Sequence, residues 1–468
     1  MKHLKRNIGR AFLILLGLFV LLTVYFSYNL SLYSERWFSN PNNTRLKVDT
    51  ANPEIIPGSI MDRNRNVLVE TKTSTAQDGT VTYYRDYHKD SKYAAHVVGS
   101  KQYGIGGEAL FIRYLLGYDN NLFERIYQKA FLDQELGNNV ILTIDIELQK
   151  YISDSMGNAK GSVVVMNPQN GEILALVSQP SFSPSDTNEE PEEESLINRA
   201  SYGKYPPGSI IKIVTAAAAL ETMDEIGDYT VRCTGKIDID GIIVSCYGDE
   251  AHGEVNLSKA MELSCNAYFA QLAQNIGWKQ LKKTAEAFGF NKDFLFSDIK
   301  TSKSQFPISR LTDVEELVWS AVGQAKVSVT PLHMVMLASA IANGGNMTEP
   351  RLIYGIELRT GRVKLQNKST LTSPISAETS KTLTNIMIGV VENGTGYRAK
   401  STGMLTAGKT GTAEVAADQK PHAWFIGFAP ADEPSLAIAV ILENAGTGGR
   451  YAAPLAGKVL RNAKKLGY

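Results

Sequence analysis

Cysteine is nearly missing from these 468 residues: Cys233, Cys246 and Cys265 are the only three. None forms a Cys-x-x-Cys pair, so the sequence offers no zinc or thiol-redox motif. If the chain lies outside a membrane, a Cys233–Cys246 disulfide and two buried free thiols both stay open. Excess charge is missing as well. Lys and Arg total 48 against 48 Asp and Glu, which gives no sign of a nucleic-acid or polyanion partner. Long apolar runs are scarce: a mean hydropathy of −0.14 excludes a polytopic membrane protein and leaves room for one span. Internal repeats are not found. What is there is ordinary globular material, 43% hydrophobic and 21% charged, in a chain long enough for two or three folded units.

The single long apolar run lies at the N-terminus, from Ala11 to Tyr28, behind Lys2, Lys5, Arg6 and Arg10. As a helix it spans about 27 Å, close to the thickness of a hydrocarbon core. The basic flank predicts a cytoplasmic N-terminal tail (1–10), a span (11–30) and an exported remainder. A cleaved signal peptide wants a small-x-small site, but the run continues Tyr28-Asn29-Leu30-Ser31-Leu32-Tyr33, so an uncleaved anchor is expected.

A polar, proline-punctuated linker follows from Ser39 to Pro57, then a small β-rich module; together they make up 31–137. The second unit, 138–468, opens with a strand at Val140–Ile144 and a helix around Leu148. Ser162–Met166 and Glu172–Ser178 flank the turn signal Asn167-Pro168-Gln169-Asn170-Gly171, which predicts a hairpin. Leu405–Ala413, Ala423–Phe428 and Leu436–Leu442 predict three more strands, and Ala452–Leu466 a closing amphipathic helix. Roughly 200 residues between the two strand groups read as mostly helical. The expected class is α/β (α+β), a five-stranded antiparallel sheet flanked by helices with a helical subdomain beside it. The acidic cluster Glu189–Glu194 reads as a solvated loop.

Three short motifs carry chemistry. Ser209-Ile210-Ile211-Lys212 puts a hydroxyl and an amine three residues apart, on one helix face. A lysine acts as base only where burial or a neighbouring positive charge lowers its pKa. Ser201–Lys204 and Ser297–Lys300 share the spacing, but Gly203 and Pro206-Pro207 break the first and a polar stretch surrounds the second. Ser209 instead follows Pro206-Pro207-Gly208 and opens an apolar run to Leu220, so a buried helix is expected with the serine on its first turn. Ser264-Cys265-Asn266, 55 residues on, precedes the helical stripe Tyr268, Phe269, Leu272 and Ile276. A hydroxyl there can relay a proton, and an amide can hold a peptide carbonyl. The same tripeptide pattern at Ser27-Tyr28-Asn29 lies at the membrane edge. Lys409-Thr410-Gly411-Thr412 lies on a predicted strand whose edge can take an extended peptide; Lys409 and the two threonines suit a terminal carboxylate.

In this order the three motifs resemble those of the active-site serine penicillin-recognising enzymes. Tyr205-Pro206-Pro207-Gly208 before Ser209, Gly323-Gln324 with Thr330-Pro331-Leu332, Gly394-Thr395-Gly396, Gly408 to Glu414 and Ala423 to Gly427 are similar to class B penicillin-binding proteins. Pro57 to Asn64 resembles the start of that family's pedestal, with Pro57 where arginine is more usual. The resemblance covers the anchor, a shortened pedestal and the catalytic domain and leaves no room for a glycosyltransferase domain. It implies a peptidoglycan D,D-transpeptidase with Ser209 as nucleophile, Lys212 as base, Ser264 and Lys409 as proton relay, Asn266 as amide ligand and Thr410, Gly411 and Thr412 along the substrate. The backbone N–H groups of Ser209 and Thr412 would form the oxyanion hole. It implies stem peptides ending in D-Ala-D-Ala as substrate, β-lactams as covalent inhibitors, no cofactor and no metal. It also implies a polytopic membrane glycan polymerase of the FtsW/RodA type as partner.

A β-lactamase would need a way to activate water, and the pedestal and anchor speak against it. A D,D-carboxypeptidase would hydrolyse the same acyl-enzyme. A penicillin sensor or an inactive scaffold would be expected to carry a signalling segment or to have lost a motif residue. His252 and His422 are expected to be structural, and Trp424 to pack beneath the sheet. A role in division, elongation or sporulation stays open.

Overall fold

The structure is a computed structural model that describes residues 2–38, 55–120, 124, 126, 135–185, 190–367, 369–415 and 418–468. The expected linker lies outside the described residues as far as residue 54, as does Glu189 of the acidic cluster. Helix α1 (Lys2–Phe38) contains a 25-residue apolar stretch, Arg6–Leu30, none of it buried against the protein. Its polar side chains turn inward: Thr23 Oγ1 donates to Phe19 O at 2.8 Å and Asn29 Nδ2 to Tyr25 O at 2.8 Å. A helix that satisfies its own polar groups is one that hydrocarbon tolerates. It is the one described helix long and apolar enough to cross a membrane.

Beyond α1, a six-stranded sheet runs in the order Val363–Leu365, Ile353–Glu357, Asn139–Leu142, Ile60–Met61, Val67–Thr75, Val81–Tyr87. It joins four strands from the first third of the chain to two from its last third. Asp62 fastens the loop after Met61 by accepting from Asn64 N at 2.9 Å and Asn66 N at 2.8 Å. The neighbouring Arg63 reaches Glu172, at 3.4 Å, and Arg351 binds the other oxygen of the same carboxylate at 2.8 Å. Deeper in the module, Arg85 is buried with Glu108 at 2.8 Å, and its remaining donors go to Gly58 O and Thr71 Oγ1.

The second sheet has five strands: β1 (Gly161–Met166), β2 (Ile173–Gln179), β3 (Ala407–Ala413), β4 (His422–Ala429) and β5 (Leu436–Leu442). Their order is β3-β4-β5-β1-β2, antiparallel throughout. The β1–β2 turn is closed by Asn167, whose side chain accepts from Gln169 N at 2.9 Å and Asn170 N at 3.3 Å. Five helices matter here: α2 (Ile146–Met156), α3 (Lys212–Leu220), α4 (Asn266–Ala287), α5 (Pro331–Ala342) and α6 (Ala452–Lys465). Val163 and Val165 point into the core shared with α2 and α6, whereas Val164 and Met166 point into the core containing α5. Strand alternation thus buries both faces, and the strands read as continuous apolar runs. The sheet is the one the sequence predicts.

The insertion between β2 and β3 is less helical than its pattern suggests. Two short antiparallel ladders occur in it, Lys236–Ile239 with Ile242–Ser245 and Val231–Cys233 with Gly253–Val255. Asp240 and Gly241 make the first turn with φ of 53° and 87°, the hairpin geometry that an Asp-Gly pair favours.

Candidate active site

The chain enters the site through Pro206-Pro207 and a tight turn, Gly208–Ile211, which runs into α3 at Lys212. Ser209 therefore precedes the α-helix by one 3₁₀ turn instead of standing on its first α turn, and the three-residue step to Lys212 is kept. Close backbone contacts hold this turn, and its Ile210 and Ile211 are buried in the core. Gly208 N donates to Gly323 O at 2.9 Å, and a Cβ on Gly323 would lie 1.9 Å from Gly208 O. Gly208, at φ +55°, passes so close to β3 that a Cβ would meet Thr412 O at 2.5 Å. Trp424 is buried beneath and donates from Nε1 to Pro206 O at 3.0 Å.

Lys212 is fully buried, and its amine turns to the second motif. Nζ lies 2.7 Å from Ser264 O, 2.6 Å from Asn266 Oδ1 and 3.3 Å from Ser264 Oγ. Among the described contacts Ser209 Oγ makes no hydrogen bond, so the expected Ser209–Lys212 pair shares a site without being bonded. Ser264 itself stands at φ +56°, a conformation costly for a residue with a side chain and one that clusters at functional sites. From the third motif, Lys409, also fully buried, approaches the same hydroxyl at 3.0 Å and donates to Thr410 O at 3.0 Å. Asn266 is fixed by its other end, Nδ2 to Ser245 O at 2.8 Å.

Burial dominates the electrostatics. It lowers the Lys212 pKa from 10.5 to about 8. Lys409 is driven well below the ordinary lysine range, first by burial and then by the positive charge of Lys212.

Above the two amines lies an open cleft of about 830 Å³, lined by Ser209, Ser264, Asn266, Thr410 and Thr412. Thr410 Oγ1 is 2.6 Å from Thr395 Oγ1, and Thr412 Oγ1 accepts from Gly448 N at 3.3 Å. Gly411 runs past Pro207 O with space for no side chain, a Cβ there falling 2.8 Å from that oxygen. β3 is an edge strand, and among the described residues no further strand pairs with its outer side.

Residues 161–461 match the penicillin binding protein transpeptidase domain. The chain is 31% identical to the peptidoglycan D,D-transpeptidase PbpA of Mycolicibacterium smegmatis over 432 residues, which is 84% of this chain and 87% of that one. It is a class B penicillin-binding protein.

Another relative, stage V sporulation protein D of Bacillus subtilis, is 35% identical over 70% of this chain and 53% of its own length. The crystal structure of PBPA from Mycobacterium tuberculosis superposes with a TM-score of 0.79 at 29% identity, covering 87% of this chain and 99% of that one. A penicillin G acyl-enzyme complex of the same mycobacterial protein superposes equally well, with a TM-score of 0.79 at 30% identity over 88% of this chain and 99% of that one.

Within this penicillin-binding protein the other serine–lysine pairs are not brought to the cleft. Ser201 is buried with no partner for its hydroxyl, and Ser297 stands exposed in an irregular segment. His422 accepts from Asn444 N at 3.0 Å and packs edge-on to Tyr205, as a structural residue does. The three cysteines are free and buried. Tyr247, Trp319, Tyr397, Arg398 and Arg450 also line the cleft. None belongs to a motif, and only the fold brings them there.

The contact between Gly208 and Gly323 yields a prediction. Gly323→Ala, which adds a clash at 1.9 Å and strain at φ +87°, is expected to cost about 2–4 kcal/mol of stability. Gly344→Ala, at φ +62° with open space around its Cβ, should cost about 1 kcal/mol. Thermal denaturation of the two variants checks the difference.

Proposed function

We propose that Ser209 forms the acyl-enzyme, that Lys212, Ser264 and Lys409 move the protons and that Asn266 holds the Lys212 amine, on stem peptides ending in D-Ala-D-Ala. The protein is a serine-type D,D-transpeptidase that crosslinks the stem peptides of the bacterial wall, and β-lactams inhibit it covalently. The observation that carries the residue roles is the sharing of Ser264 Oγ by two buried lysines, at 3.3 and 3.0 Å, under a cleft that Ser209 lines.

A neutral lysine amine has two N–H donors and one lone pair. Ser264 O and Asn266 Oδ1, at 2.7 and 2.6 Å, take both donors of Lys212. The lone pair, whose resting contact is the longer one of 3.3 Å to Ser264 Oγ, then accepts the Ser209 proton as its Oγ attacks the penultimate D-Ala carbonyl. The N–H groups of Ser209 and Thr412 receive the oxyanion, each such donor being worth about 10²–10³ in rate. The C–N bond then breaks, and Ser264, with Lys409 behind it, returns a proton to the departing D-Ala amine. Thr410, Thr412 and Lys409 hold the terminal carboxylate, with the donor peptide extended along β3 past Gly411. An amine of a second stem attacks the ester, and Ser209 regains its proton. We further infer that 1–10 is cytoplasmic, 11–30 spans the membrane, 31–137 forms linker and pedestal, and 138–468 catalyses outside the cell. A polytopic glycan polymerase of the FtsW/RodA type would supply the glycan strands.

Donor and acceptor stems incubated with the full chain should give a covalent dimer and one D-Ala per crosslink. Release of D-Ala with only hydrolysed donor would contradict transpeptidation. The base must be neutral to act, and Lys212 is neutral above about pH 8. Labelling by a fluorescent penicillin is therefore expected to quicken about tenfold per unit up to that pH and level off above it. A profile flat from pH 6 to 9 would remove Lys212 from the base role.

A further inference from the structure

We propose that Cys233, Cys246, His252 and Cys265 together bind one Zn²⁺ ion. The sequence spacing offered no such set; the two ladders of the insertion create it. Cys233 ends the strand Val231–Cys233, and its pairing with Gly253 sets His252 beside it. Cys246 follows the strand Ile242–Ser245, and Cys265 caps α4.

The ligand atoms of all four lie within 4.8 Å of one another. Cys233 Sγ is 3.6 Å from Cys246 Sγ and 3.5 Å from His252 Nδ1, and Cys246 Sγ is 3.8 Å from Cys265 Sγ. A tetrahedron with Zn–S near 2.3 Å and Zn–N near 2.0 Å has S–S edges of about 3.8 Å and S–N edges of about 3.5 Å. The three edges Cys233–Cys246, Cys233–His252 and Cys246–Cys265 already match that figure, and the other three are no longer than 4.8 Å. A disulfide needs its sulfurs about 2.05 Å apart and would leave the third thiol over. Three thiolates with one imidazole in a tetrahedral set select zinc among common divalent ions.

The surroundings fit. The sulfurs are buried, with 1%, 4% and 0% exposure for Cys233, Cys246 and Cys265. Tyr268 N donates to Cys265 Sγ at 3.5 Å, the outer-shell bond that metal-bound thiolates commonly accept. Four protein ligands close the site, so the ion is structural and leaves no position for substrate. Binding releases the three thiol protons.

Cys265 is the middle residue of Ser264-Cys265-Asn266. The ion would therefore anchor the backbone between the hydroxyl shared by both lysines and the amide that holds Lys212. Asn266 is also tied to Ser245, the neighbour of Cys246, so the ion joins the second motif to the ladders from both sides. This positioning role rests on the acyl-transfer reading; zinc binding itself does not.

The test uses the full chain, purified in detergent without chelator. Elemental analysis is expected to give about one zinc per chain, and Co²⁺ exchange a tetrahedral visible spectrum with thiolate charge-transfer bands. Cys246→Ser should lose both. His252→Gln alters a half-buried ligand at the cleft rim, spares the core, and should weaken Zn²⁺ binding by at least about 10–100-fold in chelator competition. Stripped wild-type protein should label with fluorescent penicillin at least about tenfold more slowly and recover on adding Zn²⁺ alone. Zinc far below one per chain with no tetrahedral cobalt spectrum would overturn the proposal. So would zinc binding unchanged in both variants. Ser209→Ala should keep its zinc while losing its label, so the metal site and the nucleophile assignment fail separately.

Discussion

Lys212 and Lys409 end on one hydroxyl, Ser264 Oγ, and among the described residues neither forms an ion pair. Burying two unpaired ammonium ions a few ångströms apart is a cost that proteins avoid by giving up a proton. The pair is held in that costly arrangement by everything around it: the apolar helix α3 beneath Lys212, the fully buried strand core beneath Lys409, and a serine locked in left-handed backbone between them. For Lys212 burial brings the pKa down to about 8, which puts the neutral amine that a base requires within reach near physiological pH.

On the proposed reading this hydrogen-bonded socket serves Ser209, which lines the same cleft. Close backbone packing makes that placement, with one side-chain bond from Trp424. Gly208 leans on Gly323 and on Thr412, Gly411 slides past Pro207, and Trp424 clamps Pro206 from below. The glycine contacts lie between main chains with no space for a Cβ, so the Gly208–Ile211 turn, the Gly323 loop and the edge strand β3 are closely packed together. The cleft lies along β3, whose outer edge pairs with no strand among the described residues, and on the proposed reading an extended peptide finds there that one open edge and the threonines.

Much of this could be read from the sequence. The five-strand sheet was legible because its strands are continuous apolar runs bounded by strong turns, as at Asn167. The three motifs were legible because each sits at the start of a buried helix or on a buried strand. Other features depend on long-range geometry. Ser-x-x-Lys spacing suggested a Ser209–Lys212 contact, but the amine is claimed by Ser264 and Asn266, which lie 52 and 54 residues on. The hairpin at Asp240-Gly241 carried a local signal that the helical pattern around it obscured. The convergence of Cys233, Cys246, His252 and Cys265 carried none, because no two of these residues stand at a spacing that a metal motif repeats. The participation of Ile353–Glu357 in the sheet beside Asn139–Leu142 is likewise a tertiary fact, written in no local period.

The assignment of the nucleophile can be read directly by mass spectrometry of the penicillin-treated full chain. If Ser209 carries the chemistry, one acyl group is found per chain, on the peptide containing Tyr205 to Lys212, at Ser209, and Ser209→Ala carries none. An adduct on Ser264 or Ser201, or one that persists in Ser209→Ala, would contradict the account.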